Sequence, residues 1–178
     1  YPFAILFSLA AVLLGFGLQL SIGSISKSWF SFPYNVVGGA IYVLLATGSY
    51  FLWRKTNFIL RFSSAPFAIV TVVTLGILTI GLGSINVKPQ ELTGIWGKLG
   101  LDDLTKTWYF GLVFFLTLTN LWFSILKRSM VYQRKNIAFL LNHFGLWLTM
   151  FAGVLGQGDI VRLTMDLKKD IPQWQAKT

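Results

Sequence analysis

The 178-residue chain has no cysteine, which excludes disulfides, thiolate metal sites and thiol redox chemistry. Histidine occurs once, at His143, so a site that needs two or three imidazoles must take the others from another chain or from protein outside this sequence. Charge is also scarce. Charged residues make up 12%, about half the share usual in soluble domains, while 54% of the residues are hydrophobic. That balance excludes a disordered tail and argues against a soluble domain. The familiar catalytic patterns are missing too: no HExxH, no Ser/His/Asp set at one depth, and no Gly-rich loop between a strand and a helix. A chain that opens on Tyr1 rather than Met is expected to be a fragment or a trimmed protein.

Long apolar runs are what the sequence does have. About 20 apolar residues cross a hydrocarbon layer of roughly 30 Å. Five stretches of that size stand at residues 2–22, 34–53, 66–85, 107–126 and 136–156, and none contains Asp, Glu, Lys or Arg. The first lacks the short apolar core and small-residue cleavage site of a signal peptide. The expected fold is therefore an all-α integral membrane bundle of about five transmembrane helices over residues 1–158. A secondary transporter would show repeated, interrupted spans and buried midplane charge, and neither is present.

The chain has 15 Lys and Arg against six Asp and Glu, a formal charge of +9. In a soluble protein this would suggest nucleic acid. Here the placement points to topology instead, with no nucleic-acid partner. Arg54, Lys55 and Arg61 lie between spans two and three, and Lys127, Arg128, Arg134 and Lys135 between spans four and five, with no acid among them. Such loops stay on the cytoplasmic side. The N-terminus is then cytoplasmic and the C-terminus periplasmic in a bacterial inner membrane, with anionic membrane lipid as a by-product contact. Trp29, Phe30, Phe32 and Tyr34, and again Trp96, Trp108 and Tyr109, form aromatic belts at the outer boundary.

The connections carry further expectations. Ser63, Ser64, Ala65 and Pro66 read as a capped helix start. Leu92, Ile95, Leu99 and Leu101, within residues 87–106, suggest a short amphipathic surface helix. Past Gly158, Val161, Leu163, Met165 and Leu167 alternate with Arg162, Thr164, Asp166 and Lys168, the period of a half-buried strand. A strand is not stable alone. Residues 159–178 are thus expected to begin an extracytoplasmic β-rich domain that is mostly absent from this chain or supplied by a partner.

His143 is the one ionisable side chain within the spans, and such a group is a functional candidate by default. It reads either as a ligand or proton carrier, or as a neutral histidine bonded to a neighbouring helix. Asn120 lies seven residues before Lys127, as His143 lies seven after Asn136, which puts both about 10 Å inside one interface. Asn120 is then a possible outer partner that orients the imidazole, or a plain helix-to-helix hydrogen bond. By helical spacing Phe139, Leu140, Leu146, Trp147 and Met150 share the His143 face, an apolar wall that suits a flat macrocycle and that any membrane helix also offers. Gly145, Thr149 and Gly153 form a small-residue seam expected to pack against another helix.

Asn142-His143-Phe144-Gly145-Leu146, continuing through Ala152-Gly153-Val154-Leu155-Gly156 into residues 159–167, resembles the last membrane helix of the ResB-like (CcsB-like) proteins of System II cytochrome c maturation. Leu118-Thr119-Asn120-Leu121 followed by Lys127-Arg128 resembles the helix before it, and Ser64-Ala65-Pro66 through Gly81-Leu82-Gly83 the one before that. The first two spans are similar to the N-terminal extension of Bacteroidetes-type versions. The resemblance implies the haem-handling half of a cytochrome c haem lyase, working with a CcsA-like (ResC-like) membrane protein to carry haem b outward for attachment to apocytochrome c. It also implies that His143 is one axial ligand of the haem iron, with the second from the partner; Asn120 as an outer partner and Phe139, Trp147 and Met150 as a haem wall rest on depth and helical spacing instead. No complete catalytic set lies in the chain itself. Two other readings stay open on the residues alone: a haem- or quinone-contacting subunit of a respiratory complex, and a cofactor-free membrane scaffold.

Because the natural chain has no thiol, single cysteines report topology without background. Lys55→Cys and Lys135→Cys should react with a membrane-impermeant maleimide only from the cytoplasmic face, and Asp103→Cys only from the outer face. The reverse pattern would invert the topology.

Overall fold

The computed structural model describes residues 1–83, 95–101, 103–131 and 133–160, and all regular structure among them is helical. The helices are α1 (Pro2–Ile22), α2 (Tyr34–Trp53), α3 (Asn57–Phe62), α4 (Ala65–Gly83), α5 (Ile95–Lys98), α6 (Trp108–Ser129) and α7 (Ile137–Leu155). Four of them, α1, α2, α6 and α7 with its flanking 3-10 turns, are long and apolar enough to cross a membrane. These dimensions suit a membrane protein. The expected third span is the shorter one: α4 is apolar but spans 19 residues, about 28 Å at 1.5 Å per residue.

The bundle is built on α6, which touches each of the other four long helices. Its two working faces follow from its sequence. Tyr109, Val113, Asn120 and Phe123 are buried and recur at spacings near three and a half residues, which makes one stripe. Phe123 in that stripe packs with Ala4 of α1, Tyr50 of α2, Ile59 and Phe62 of α3, and Phe67 of α4. Leu118 and Ile125 form a second stripe, packed against Trp147 of α7. Two residues of helix turn a side chain by about 200°, so Leu118 and Asn120 look in nearly opposite directions.

On α1 the buried positions Ala4, Ser8, Gly15 and Gln19 are mostly small and lie along one face. Gly15 is where the two backbones meet. A Cβ there would lie 2.2 Å from the Tyr109 Cα, so no other residue fits without moving α6. The Phe16 ring stacks on Tyr109 at 4.3 Å, and the Tyr109 hydroxyl donates to the Leu99 carbonyl at 3.0 Å.

Polar side chains close the two ends of the bundle. At one end the buried Gln19 amide donates to Ser24 Oγ (3.0 Å) and to the Lys98 carbonyl (3.1 Å), and its carbonyl accepts from the Trp108 backbone N–H (3.2 Å). Trp108 Nε1 donates to the Gly23 carbonyl. At the same end Asn35 donates to the Leu155 carbonyl (2.8 Å) and to Asp159 Oδ2 (2.7 Å), while Asp159 Oδ1 accepts from the Phe32 backbone (2.9 Å). A carboxylate at the start of α2 is well placed for the helix dipole. Asp103 also lies here, paired with Lys106 at 2.8 Å. Partial burial pushes its carboxyl up, but hydrogen bonds from Lys106 and Thr105 and the Lys106 charge outweigh that and hold it below the ordinary value. The opposite end carries Arg54, Lys55, Arg61, Lys127, Arg128, Arg134 and Lys135, so among the described residues both acids sit at one end and the two purely basic connections at the other.

Several local expectations are corrected. The connection carrying Arg61 is a helix, α3, started by Thr56, whose hydroxyl accepts from the Ile59 N–H. Helix α4 begins at Ala65 as expected, but the Ser64 hydroxyl donates backward to the Arg61 carbonyl, and the Ser64 carbonyl starts the new helix. Gly145, Thr149 and Gly153 do not form a packing seam: Thr149 donates to the Gly145 carbonyl, and both glycines have open space where a Cβ would stand. The close approaches fall instead at Gly15, at Gly39 against Leu155 and Phe151, and at Gly158 against the Phe30 backbone. Residues 87–94 of the 87–106 segment, and the strand-like run beyond Ile160 with the expected β-rich domain, lie outside the described residues.

Gly15→Ala should therefore lower stability by about 1–3 kcal/mol, the usual penalty for overpacking. Gly17→Ala, two residues on and facing open space, should be neutral or slightly stabilising. Thermal unfolding in detergent distinguishes them, and equal midpoints for the two variants would contradict the α1–α6 crossing.

Candidate functional site

His143 sits two turns into α7, half-buried at the border between the stripe that faces α6 and the open side of the helix. Its Nδ1 lies 2.9 Å from the Phe139 carbonyl oxygen. A carbonyl only accepts, so in this bond Nδ1 carries the proton and the neutral ring keeps its lone pair on Nε2. Among the described residues no hydrogen bond reaches Nε2. A histidine fixed through Nδ1 to a backbone carbonyl is the arrangement that presents Nε2 to a metal.

The imidazole is also held by stacking. The Phe139 ring lies 3.6 Å from it, centroid to centroid, at 23°, and the Arg128 guanidinium stands over the same Phe139 ring, 5.1 Å from its centroid. Arg128 at the end of α6 thus links to His143 through one aromatic ring.

The residues expected beside His143 divide into two groups. Phe139 is in contact with the imidazole. Trp147 is turned into the bundle, 4% exposed, with its ring 4.5 Å from Trp122 and 4.7 Å from Phe151. Met150 packs in the same cluster against α6. Leu141, Phe144 and Leu146 are the side chains on the open side of α7 near His143, and all are exposed. Of the expected apolar wall, Phe139 stacks on the imidazole, while Trp147 and Met150 pack into the cluster on α6.

Asn120 does not reach His143. It is 2% exposed on the opposite face of α6, and its amide donates to the carbonyl of Phe62 at the end of α3. Depth along a helix does not fix direction around its axis. The Asn120 bond ties the C-terminus of α3, which lacks intrahelical partners for its last carbonyls, to the centre of the bundle. Two contacts that residue spacing alone cannot pair hold α2 to α6: Tyr42 Oη with Thr119 Oγ1 at 3.1 Å, and Trp122 Nε1 donating to Thr47 Oγ1 at 3.0 Å.

Among the described residues no three His, Asp or Glu side chains converge, so a metal at this site would take His143 as its one ligand from these residues. An imidazole with Nδ1 engaged and Nε2 unbonded has the donor chemistry by which histidine holds metal ions, haem iron among them. No family model, curated protein or solved structure matches the chain. The fold shows a helical protein with four membrane-length apolar helices, and its function must be argued from the site.

Proposed function

We propose that the chain is the ResB-like membrane half of a System II cytochrome c haem lyase, located in a bacterial inner membrane. The observation that carries the reading is the state of His143, the one histidine in spans that hold no Asp, Glu, Lys or Arg, with Nδ1 engaged by the Phe139 carbonyl and no hydrogen bond to Nε2 among the described residues. Sequence resemblance around Asn142–Leu146 supports it. In this reading His143 would hold a haem b through Nε2, together with a residue of a CcsA-like (ResC-like) protein. Haem, when bound, provides the vinyl groups that become thioether links to apocytochrome c at the outer face. The chain's own part is to position: Phe139 holds the imidazole through its backbone carbonyl and its ring.

Orientation belongs to the same proposal. The end bearing Arg54, Lys55, Arg61, Lys127, Arg128, Arg134 and Lys135 faces the cytoplasm by the positive-inside rule. His143 then lies in the cytoplasmic half of the membrane, and Asp159, bonded to Asn35 and Phe32, fixes where the chain leaves on the periplasmic side toward the proposed extracytoplasmic domain.

The test is the optical spectrum of the chain purified with its CcsA-like partner, oxidised and reduced. The native complex should show a b-type signal, and His143→Ala should reduce it several-fold while Asn120→Ala leaves it in place. Unchanged haem in His143→Ala, or an active complex without Soret absorbance, would overturn the proposal. A haem that is reversibly reduced by quinol and never passes to a cytochrome would indicate a respiratory subunit instead.

A further inference from the structure

A groove of about 420 Å³ opens at the basic end of the bundle, between α2, α3 and α6, on the side of α6 away from His143. That volume lies within the roughly 300–1,000 Å³ of small-ligand sites. Phe62 and Phe123 form its floor, and Trp53, 55% exposed, stands at its rim. Three hydroxyls also line it, those of Ser49, Thr56 and Thr119, and each donates to a carbonyl of its own helix or turn: Ala46, Trp53 and Phe115 respectively. The wall therefore offers a ligand almost no unused donor. A quinone or a porphyrin edge would leave its polar groups unanswered there, whereas a hydrocarbon chain asks for none.

The mouth has the opposite character. Arg54 and Lys55 form the turn that joins the lining residues Trp53 and Thr56. Arg54 donates to the Met130 sulfur at 3.2 Å, a weak acceptor, and neither cation has a carboxylate partner among the described residues. The first acid in the chain is Glu91, so α1 to α4 supply no counter-charge at all. An apolar slot with two unpaired cations at its lip fits an amphiphile with an alkyl tail and an anionic head.

We propose that this groove is a binding site for an anionic phospholipid, with one acyl chain seated on Phe62 and Phe123 and the phosphate at Arg54 and Lys55. The assignment is independent of the haem reading and of which leaflet the basic end occupies. The site makes the α2–α3 connection selective for lipid charge, and it fills a gap that α2, loosely packed on α6, leaves open.

Brominated acyl chains quench tryptophan on contact, and Trp53 is the built-in reporter. The full chain is placed in phosphatidylcholine vesicles containing a minor fraction of either brominated phosphatidylglycerol or brominated phosphatidylcholine, and the Trp53 signal is taken as the difference from Trp53→Phe. Phosphatidylglycerol should be favoured about fivefold or more, the contribution of a single basic side chain at a lipid surface. Replacing the two exposed cations, Arg54→Gln with Lys55→Gln, should leave quenching by both lipids and abolish the preference. Ser49→Phe should block both by filling the groove. Should that variant fail to fold, the double substitution on the exposed turn still decides the matter. Equal quenching of the native chain by the two lipids would overturn the proposal. So would absence of quenching by either, which would mean that protein, a partner helix or a second copy, fills the groove.

Discussion

The contact at Gly15, where α1 lies directly against the Tyr109 backbone, sets the spacing on which the bundle depends. Lipid gives apolar helices no hydrophobic reason to associate, so close backbone approach and interhelical hydrogen bonds must supply it. Once α1 is fixed against the start of α6, Gln19 is brought to Lys98 and Trp108, and α4 is drawn against both helices through Phe67 and its aromatic neighbours. Each such hydrogen bond contributes on the order of 0.6–2 kcal/mol, which is enough to fix a register when several act together.

Packing is uneven around that centre. More than a third of the apolar window of α6 is buried, against 6% of the α7 window. The helix that carries His143 is therefore held along one stripe, by Trp147, Met150 and Phe151 on α6 and by Asp159 at its end, while its other side stays open. A rigid inner seam with an open outer face suits a side chain that shares its ligand with something outside the chain. The His143 ring itself is not loose: the Phe139 carbonyl and ring constrain it from within its own helix.

Hydropathy made the spans legible, and the bounds expected for α1 and α2 coincide with the helices found. Charge placement likewise separated the two ends. What the sequence did not disclose was direction around each helix axis. Asn120 and His143 were placed at one depth, yet the azimuth of Asn120 is set by the Tyr109, Val113 and Phe123 stripe, which turns it to Phe62. The glycines make the same point. Gly145 and Gly153 had the seam spacing and face open space, whereas Gly15, in a run with no obvious pattern, takes the closest contact in α1. Only the partner helix decides which small residue is needed. Helix α3 has a legible signal of its own beside the basic residues that mark it as a connection: Thr56 before Asn57, and Phe58, Ile59 and Phe62 at amphipathic spacing.

The state of the His143 ring is the claim on which the functional account turns, and a single histidine makes it directly observable. The ring nitrogens of the histidine-labelled protein can be read by nitrogen-15 NMR in detergent at mildly alkaline pH. The account predicts a protonated Nδ1 and an unprotonated Nε2 with its lone pair free. A proton on Nε2, with Nδ1 unprotonated, would contradict it, because the Phe139 carbonyl would then have no donor and Nε2 would have no lone pair to offer a metal.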